Sequence, residues 1–381
     1  MRFYSLDVFR GATVALMILV NNPGSWAHIY GPLKHAPWHG CTPTDLVFPF
    51  FLFAVGNALS FVMPRLQQGG ATTFWKKVVK RTLLIFFIGL LLNWSPFVRW
   101  DGDVLQLKSI ENLRIMGVLQ RIALSYFFAS IIVFYTGQRG AFFTGTVLLL
   151  LYWVLCLALG TPGDPFSISG WFGTELDKSI LGKSHLYKGE GIPFDPEGLL
   201  STFAPITQVI FGYLVGDYIQ KKGKTYEMLT SLFVVATVLT ATGLAWDLVF
   251  PINKKIWTSS YTMYTTGLAL YTLTLMMYFI EFRNVKGWLG EFFNAFGKNP
   301  LFIFVLSGFL PRLLDLIRIP AGTTVDGTTR YIGPFKWYYE TICTHIPGST
   351  ENGSLFYALT LIVFYWLICY WLDRKKIYIK V

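Results

Sequence analysis

"GPLKHAPWHGCTPTDLVFPFFLFAVGNALSFVM", residues 31–63, passes without a break from two histidines, a cysteine and an aspartate into an almost wholly apolar run. A helix that crosses a bilayer needs about 20 mostly apolar residues, and 44–63 has that length. Read as a span, it leaves His35, His39 and Cys41 in a loop at the membrane face and puts Asp45 at the start of the helix.

Nine further segments meet the same criterion, approximately 8–23, 79–95, 115–135, 142–160, 198–219, 229–250, 257–280, 299–317 and 355–373. The sequence therefore predicts an all-α polytopic membrane protein of about ten transmembrane helices. No internal repeat or low-complexity tract divides it, so residues 1–381 read as a single domain. Composition agrees: the chain is 53% hydrophobic, 18% aromatic and only 14% charged, with a mean hydropathy of +0.48. A soluble domain so poor in charge would have nothing to wet its surface. The opening "MRFYSLDVFRGATVALMILV" has the basic start and short apolar stretch of a signal peptide. It lacks a small-x-small cleavage site, and Asp7 and Arg10 interrupt it, so it reads as a retained helix.

The net charge of +11 does not indicate nucleic acid, because Lys and Arg sit in short clusters between apolar segments rather than on one face of a soluble module. Positive-inside placement accounts for them. The N-terminus, 64–81, 137–140, 220–228, 281–298 and the tail "DRKKIYIKV" carry the larger share. Both termini are therefore expected in the cytoplasm, with 31–43 outside. The two longest connections, 161–197 and 318–354, also fall outside, where long loops commonly carry function.

An ionisable residue inside a span costs about 2.5–3.5 kcal/mol on insertion scales and usually faces a partner or a cavity. Asp7, Arg10, Asp45, Arg121, Glu197, Asp217 and Asp247 are informative for that reason. Asp7 and Arg10, one helical turn apart, form an internal pair, or Arg10 turns its guanidinium fork to an anion such as phosphate. Gly11 lets a second helix approach. Arg121 neutralises a buried carboxylate or binds an anion; Asp217 and Asp247, near helix ends, read as interfacial. Asn21 and Asn22 close the first span, Asn57 lies within the second and Asn299 precedes Pro300, each needing a hydrogen-bond partner in lipid.

His28, His35, His39 and Cys41 do not make a convincing metal set. Pro37 and Gly40 prevent a regular helix across HxxxH, and no second ligand pair follows, so no metal is expected. A base or nucleophile fits better, since imidazole titrates near neutrality and needs an orienting group for its other nitrogen. Asp45, ten residues after His35, is the candidate, returned by the chain reversal in "PWHGCTP". Cys41, Cys156, Cys343 and Cys369 show no CxxC spacing and read as small hydrophobes, with a Cys41–Cys343 pair on the outer face left open.

"LDVFRGATVALMILVNN" (6–22) followed by "LKHAPWHGCTPTDLVFPFFLFAVG" (33–56) resembles the transmembrane acyltransferase family of heparan-alpha-glucosaminide N-acetyltransferase and its bacterial relatives. "GVLQRIALSYFF" (117–128), "HLY" (185–187), "FDPEGLL" (194–200), "INKKIWTSSY" (252–261) and "GKNPLFIFV" (297–305) continue the likeness in order over nearly the whole chain. The resemblance implies transfer of an acetyl group from cytosolic acetyl-CoA to the amine of a glucosamine across the membrane. It places the functional histidine of the H-A-x-W motif on His35, the asparagine after the first span on Asn21 and the aspartate before "LVFP" on Asp45; it gives His39 no role. The lysosomal member has an additional luminal domain and preceding helix that this chain lacks. The resemblance therefore implies free glucosamine or an amino-sugar oligomer as acceptor, a bacterial inner membrane as location, and a homodimer as one option.

On that reading His35 is a general base that deprotonates the acceptor amine, Asp45 fixes the imidazole tautomer and Asn21 steadies the acyl oxygen. An acetyl-histidine intermediate is the competing route. Arg10, Arg121, Lys298 and Asn299 are the candidates for the phosphates of CoA. Trp38, Asp195 and Glu197 are the candidates for the sugar. A secondary transporter of an amino sugar or anion is the rival function, because buried Asp/Arg pairs and broken helices suit that class too. The third is an assembly protein whose polar residues only join helices.

Overall fold

The computed structural model describes residues 3–324 and 327–379. The ends of the basic termini, Met1 and Arg2 with Lys380 and Val381, and residues 325–326 of the last outer loop lie outside the described residues. In chain order the helices are α1 (Tyr4–Asn21), α2 (Val47–Gln68), α3 (Gly70–Trp94), α4 (Val118–Leu159), α5 (Phe172–Leu181) and α6 (Phe203–Lys222). They continue as α7 (Tyr226–Asp247), α8 (Ser259–Met277), α9 (Trp288–Lys298), α10 (Pro300–Leu314), α11 (Pro334–Thr341) and α12 (Thr350–Arg374). Two antiparallel hairpins sit between them, β1 (Val98–Asp101) with β2 (Val104–Leu107) and β3 (Ile319–Thr323) with β4 (Thr329–Ile332).

Every apolar segment found in the sequence overlaps a helix, but the expected count of ten is not reached on length and apolarity. Among the described residues six helices are long and apolar enough to cross a membrane, or seven if the bent pair α9–α10 is one span. Four differences account for this: three helices fall short, and two expected spans are joined. The first half of α3 carries Lys76, Lys77, Lys80 and Arg81, α6 holds Gln208 and Asp217, and α10 has only 15 residues. The fourth and fifth expected spans appear as one 42-residue helix that breaks at Gly137, whose φ of 65° is in the left-handed region. Straight, α4 would set Arg121 and Tyr152 about 45 Å apart. Instead both reach one loop: Arg121 lies 5.2 Å over the Trp257 ring, and Tyr152 donates to the Ile256 carbonyl at 2.5 Å. The chain therefore doubles back at Gly137.

Two expectations about connections are corrected. Residues 281–298, expected as a loop, contain α9, which packs along α1 and meets α10 at a 79° bend. The all-α expectation is corrected as well: the connections at 96–117, 161–197 and 318–354 hold two antiparallel hairpins besides α5 and α11.

α2 is the central element. Phe48, Leu52 and Leu59 face one hydrophobic cluster with α4 and α6, Phe50 and Phe53 face a second with α7 and α8, and Val47 touches a third with α1 and α12. Small residues set the closest crossings. A Cβ on Gly56 would stand 2.0 Å from the Val209 carbonyl oxygen, so α2 and α6 meet backbone to backbone. Gly11, expected to admit a second helix, does so: a Cβ there would lie 1.7 Å from the Phe293 carbonyl of α9.

The C-terminus of α1, the N-terminus of α2, both ends of α4, the N-terminus of α6 and the α7–α8 connection converge on one end of the bundle. The functional residues of the opening stretch lie there.

Candidate active site

A short strap, residues 34–46, carries the histidines from α1 to α2. Pro43 and Asp45 form a 3-10 turn with a capping box: the Asp45 carboxylate receives the Thr42 amide at 3.0 Å, and the Thr42 hydroxyl joins it at 3.0 Å. The same Oδ2 receives the Ala36 amide at 3.0 Å. The strap is thus folded around one buried carboxylate, and its other oxygen, Oδ1, lies 2.6 Å from His35 Nδ1. The carboxylate pairs with Nδ1–H, which leaves Nε2 with its lone pair. The His35 side chain is 39% exposed while that of Asp45 is 1% exposed, so the anchor is buried and the reactive ring is open.

A second loop completes the site. Gly40, held at φ 103°, donates its amide to the Ile252 carbonyl at 2.7 Å, a conformation that favours glycine. This pins the strap to residues 252–258. Asn253 braces that loop by accepting the Ile256 amide at 3.0 Å and donating its own amide to the Thr258 hydroxyl at 3.1 Å. Trp257 is buried with φ at 50°, a sparsely occupied backbone region for a large residue. The outcome is the position of Lys254: its Nζ lies 3.0 Å from His35 Nδ1, 3.4 Å from Nε2 and 3.5 Å from Asp45 Oδ1. Burial pulls the Lys254 amine below its ordinary range, against the raising pull of Asp45 and Glu197. The sequence reading quoted Lys254 within "INKKIWTSSY" but gave it no role. Nothing in the linear spacing, 219 residues from His35, signals the contact.

Asn21, His35, Glu197 and Lys254 line one cavity of about 150 Å³ with Phe48, Phe51, Val118, Ile122 and Phe304. Asn21 and Glu197 therefore share a cavity with His35. Asp195 does not: both its oxygens are held by Arg114, at 2.6 and 2.8 Å, and Arg114 also bonds Glu197 at 2.5 Å. Burial alone would raise the Glu197 carboxyl, but Arg114, Arg121 and Lys254 together hold it below the usual range. Trp38 does not line this cavity either: it donates its indole N–H to the Phe166 carbonyl at 2.8 Å and packs on Phe194.

The four residues considered for CoA separate. Arg121 is fully buried, donates to the Gly198 carbonyl at 3.1 Å and to the Ser201 hydroxyl, and keeps Nε and Nη1 without a hydrogen-bond partner. It pairs with no carboxylate directly and does not line the cavity. Lys298 bonds both oxygens of Asp373 at 2.7 and 2.8 Å. Asn299 clasps the C-terminal tail through the Ile377 carbonyl and the Ile379 amide. Arg10 lies 3.5 Å from Asp7 and donates to the Gly297 carbonyl at 3.2 Å. It also lines a second cavity, of about 110 Å³, with Arg81, Tyr126 and Pro300. Phe51 and Ile122 border both cavities, so the two abut through the bundle.

The remaining histidines have their own partners: His39 meets Asn253 at 3.4 Å, and His28 meets the Thr350 hydroxyl at 3.0 Å. No group of three or more potential ligands is found among the described residues. All four cysteines are free thiols, with Cys343 buried away from the strap in the cluster of α1 and α12. Burial pushes the Cys41 thiol up to about 12, which removes it as a nucleophile near neutral pH.

Helices of membrane-spanning length, with a carboxylate-braced histidine and a half-buried lysine at the mouth of the bundle, describe an integral membrane protein. The model of the heparan-alpha-glucosaminide N-acetyltransferase family, catalytic part, matches residues 2–174. The heparan-alpha-glucosaminide N-acetyltransferases of Homo sapiens and Mus musculus are each 26% identical to the chain over its whole length. The chain spans 60% of the length of these relatives. The matched region contains α1, the strap with His35 and Asp45, and the paired ends of α4; the loop that supplies Lys254 lies beyond it.

Proposed function

We propose that the chain is a transmembrane N-acetyltransferase of this family. It transfers an acetyl group from acetyl-CoA to the amine of glucosamine or a glucosamine-terminated sugar across a bacterial cytoplasmic membrane. The observation that carries the reading is the His35–Asp45 contact at the mouth of the cavity, in a chain whose full length is similar to enzymes of that name. We further propose one domain with about ten spans, counting the two arms of α4 separately, and both termini in the cytoplasm, since basic residues gather at the end of the bundle opposite His35.

Acetyl-CoA supplies an activated acyl thioester. Arg10 and Arg81 suit its phosphates: two guanidinium groups face one cavity, and the buried Arg81 Nε has no partner within the protein. At the other end His35 Nε2 takes the proton of the acceptor amine. Asp45 holds the ring in the tautomer with Nδ1–H and stabilises the imidazolium that forms. Asn21 orients the acyl group from the end of α1, and Glu197 accepts from the hydroxyl or ammonium hydrogens of the sugar.

Acetyl transfer by purified, detergent-solubilised protein, with labelled acetyl-CoA and glucosamine, tests this directly. Labelled N-acetylglucosamine from the wild type and none from a folded His35→Ala variant is the expected result. Counterflow of an amino sugar in vesicles with no CoA released would replace the enzyme by a transporter.

A further inference from the structure

We infer that Lys254 is a catalytic residue of this site, its ammonium stabilising the negative charge that builds on the acyl oxygen. The inference rests on the acetyltransferase reading above.

The geometry leaves little else for the group to do. His35 Nδ1 carries one hydrogen, used toward Asp45 at 2.6 Å. It cannot also accept a hydrogen bond from Lys254, although Nζ stands 3.0 Å away. The ammonium therefore lies against the imidazole as a charge, paired loosely with Asp45 at 3.5 Å. An ammonium has three N–H bonds, and Asp45 uses at most one. Lys254 also lines the cavity that His35, Asn21 and Glu197 line, so its remaining donors are available next to Nε2. A charge held in place by the fold needs no rearrangement as the reaction proceeds.

The neutral amine nitrogen of the acceptor gives its lone pair to the carbonyl carbon and forms the C–N bond, and His35 Nε2 takes one N–H proton as that bond forms. The C=O π pair moves to oxygen, where the Lys254 N–H bonds meet it. When that pair returns, the C–S bond breaks, the sulfur leaves with the electrons, and the imidazolium proton restores the thiol. Lys254 donates hydrogen bonds throughout and keeps its proton.

The test is steady-state acetyl transfer with acetyl-CoA and glucosamine by full-length protein in detergent, comparing wild type, Lys254→Met and Lys254→Arg. Lys254→Met should lower kcat by about 10²–10³-fold, the size typical for one oxyanion donor, with KM for both substrates within about threefold. Lys254→Arg should recover at least about tenfold of that loss. A merely structural lysine would raise KM or lower the melting temperature as kcat falls, and Lys254→Arg would not restore turnover. Wild-type turnover with a folded Lys254→Met variant that keeps kcat within threefold overturns the inference while the acetyltransferase reading stands. No turnover by the wild type under any donor overturns both. If Lys254→Met does not fold, Lys254→Arg and Lys254→Gln carry the same comparison, and equal kcat in the two contradicts a charge-dependent role.

Discussion

Two clusters of charge lie at the same end of the bundle and are built on opposite plans. Around Arg114 the guanidinium spans Asp195 and Glu197, and each Asp195 oxygen receives a short bond. Around His35 a buried carboxylate holds one face of a ring whose side chain remains 39% exposed, and a lysine stands beside it without a full set of partners. The first cluster closes the loop before α6 onto the start of α4 and leaves Arg114 and Asp195 satisfied. The second keeps a nitrogen and an ammonium turned to a cavity. Chemistry is expected where charges are brought together but left incompletely paired, and structure where they are complete.

That contrast can be broken at several points. His35→Ala should reduce acetyl transfer by about 10³-fold or more with the melting temperature unchanged, since the ring is open and little packing is lost. Residual transfer above about a tenth of wild type would remove His35 from the chemistry. Arg114→Met should act on stability: an uncompensated buried carboxylate costs about 3–5 kcal/mol, read as a large fall in melting temperature in detergent. If Arg114→Met instead melts normally and loses only turnover, the two clusters do not divide as drawn. Asp45→Asn, which keeps the strap's shape but removes the charge behind Nδ1, should lower kcat by about 10–100-fold with a smaller fall in stability.

A finer prediction concerns Asp177 in α5, the outer helix beside the Arg114 cluster. Burial raises its carboxyl from 3.8 to about 7, and its Oδ2 has no hydrogen-bond partner. The folded protein therefore keeps a proton there that the unfolded chain has lost. Stability falls as pH rises from 3.8 toward about 7 and levels above that. Asp177→Asn should flatten this slope, which melting temperatures between pH 5 and 8 would show. Smallest of all, Lys298→Met should cost about 1 kcal/mol or less and leave KM for acetyl-CoA unchanged, because Lys298 serves Asp373 and the tail. A clear rise in that KM would restore Lys298 to the donor site.

Much of this was legible in the chain itself. The apolar runs marked each long helix, since hydrophobic length is a local property that the bilayer reads directly. Gly11 announced a close helix crossing, and the proline and glycine of "HAPWHG" announced a strap rather than a helix. His35 and Asp45 stand ten residues apart, within reach of a single turn of chain, so their partnership was also readable. Lys298 and Asn299 misled because a basic residue before a helix N-terminus resembles an anion site, and only the fold brings Asp373 and the tail to them. Asp195 misled in the same way, since a loop carboxylate reads as free until Arg114, 81 residues earlier, is seen to hold it.

By itself, then, the sequence determined a membrane-embedded helical chain with an acid–base pair at one mouth, because span length, turn residues and short-range pairing depend on neighbours along the chain. The tertiary structure alone decided that the cavity is walled by α1, α2, α4 and α10, and that Lys254 stands against His35 across 219 residues. Those outcomes depend on which faces of distant helices pack together. No local pattern encodes that choice, because many packings share the same spans and only one brings an ammonium to the imidazole.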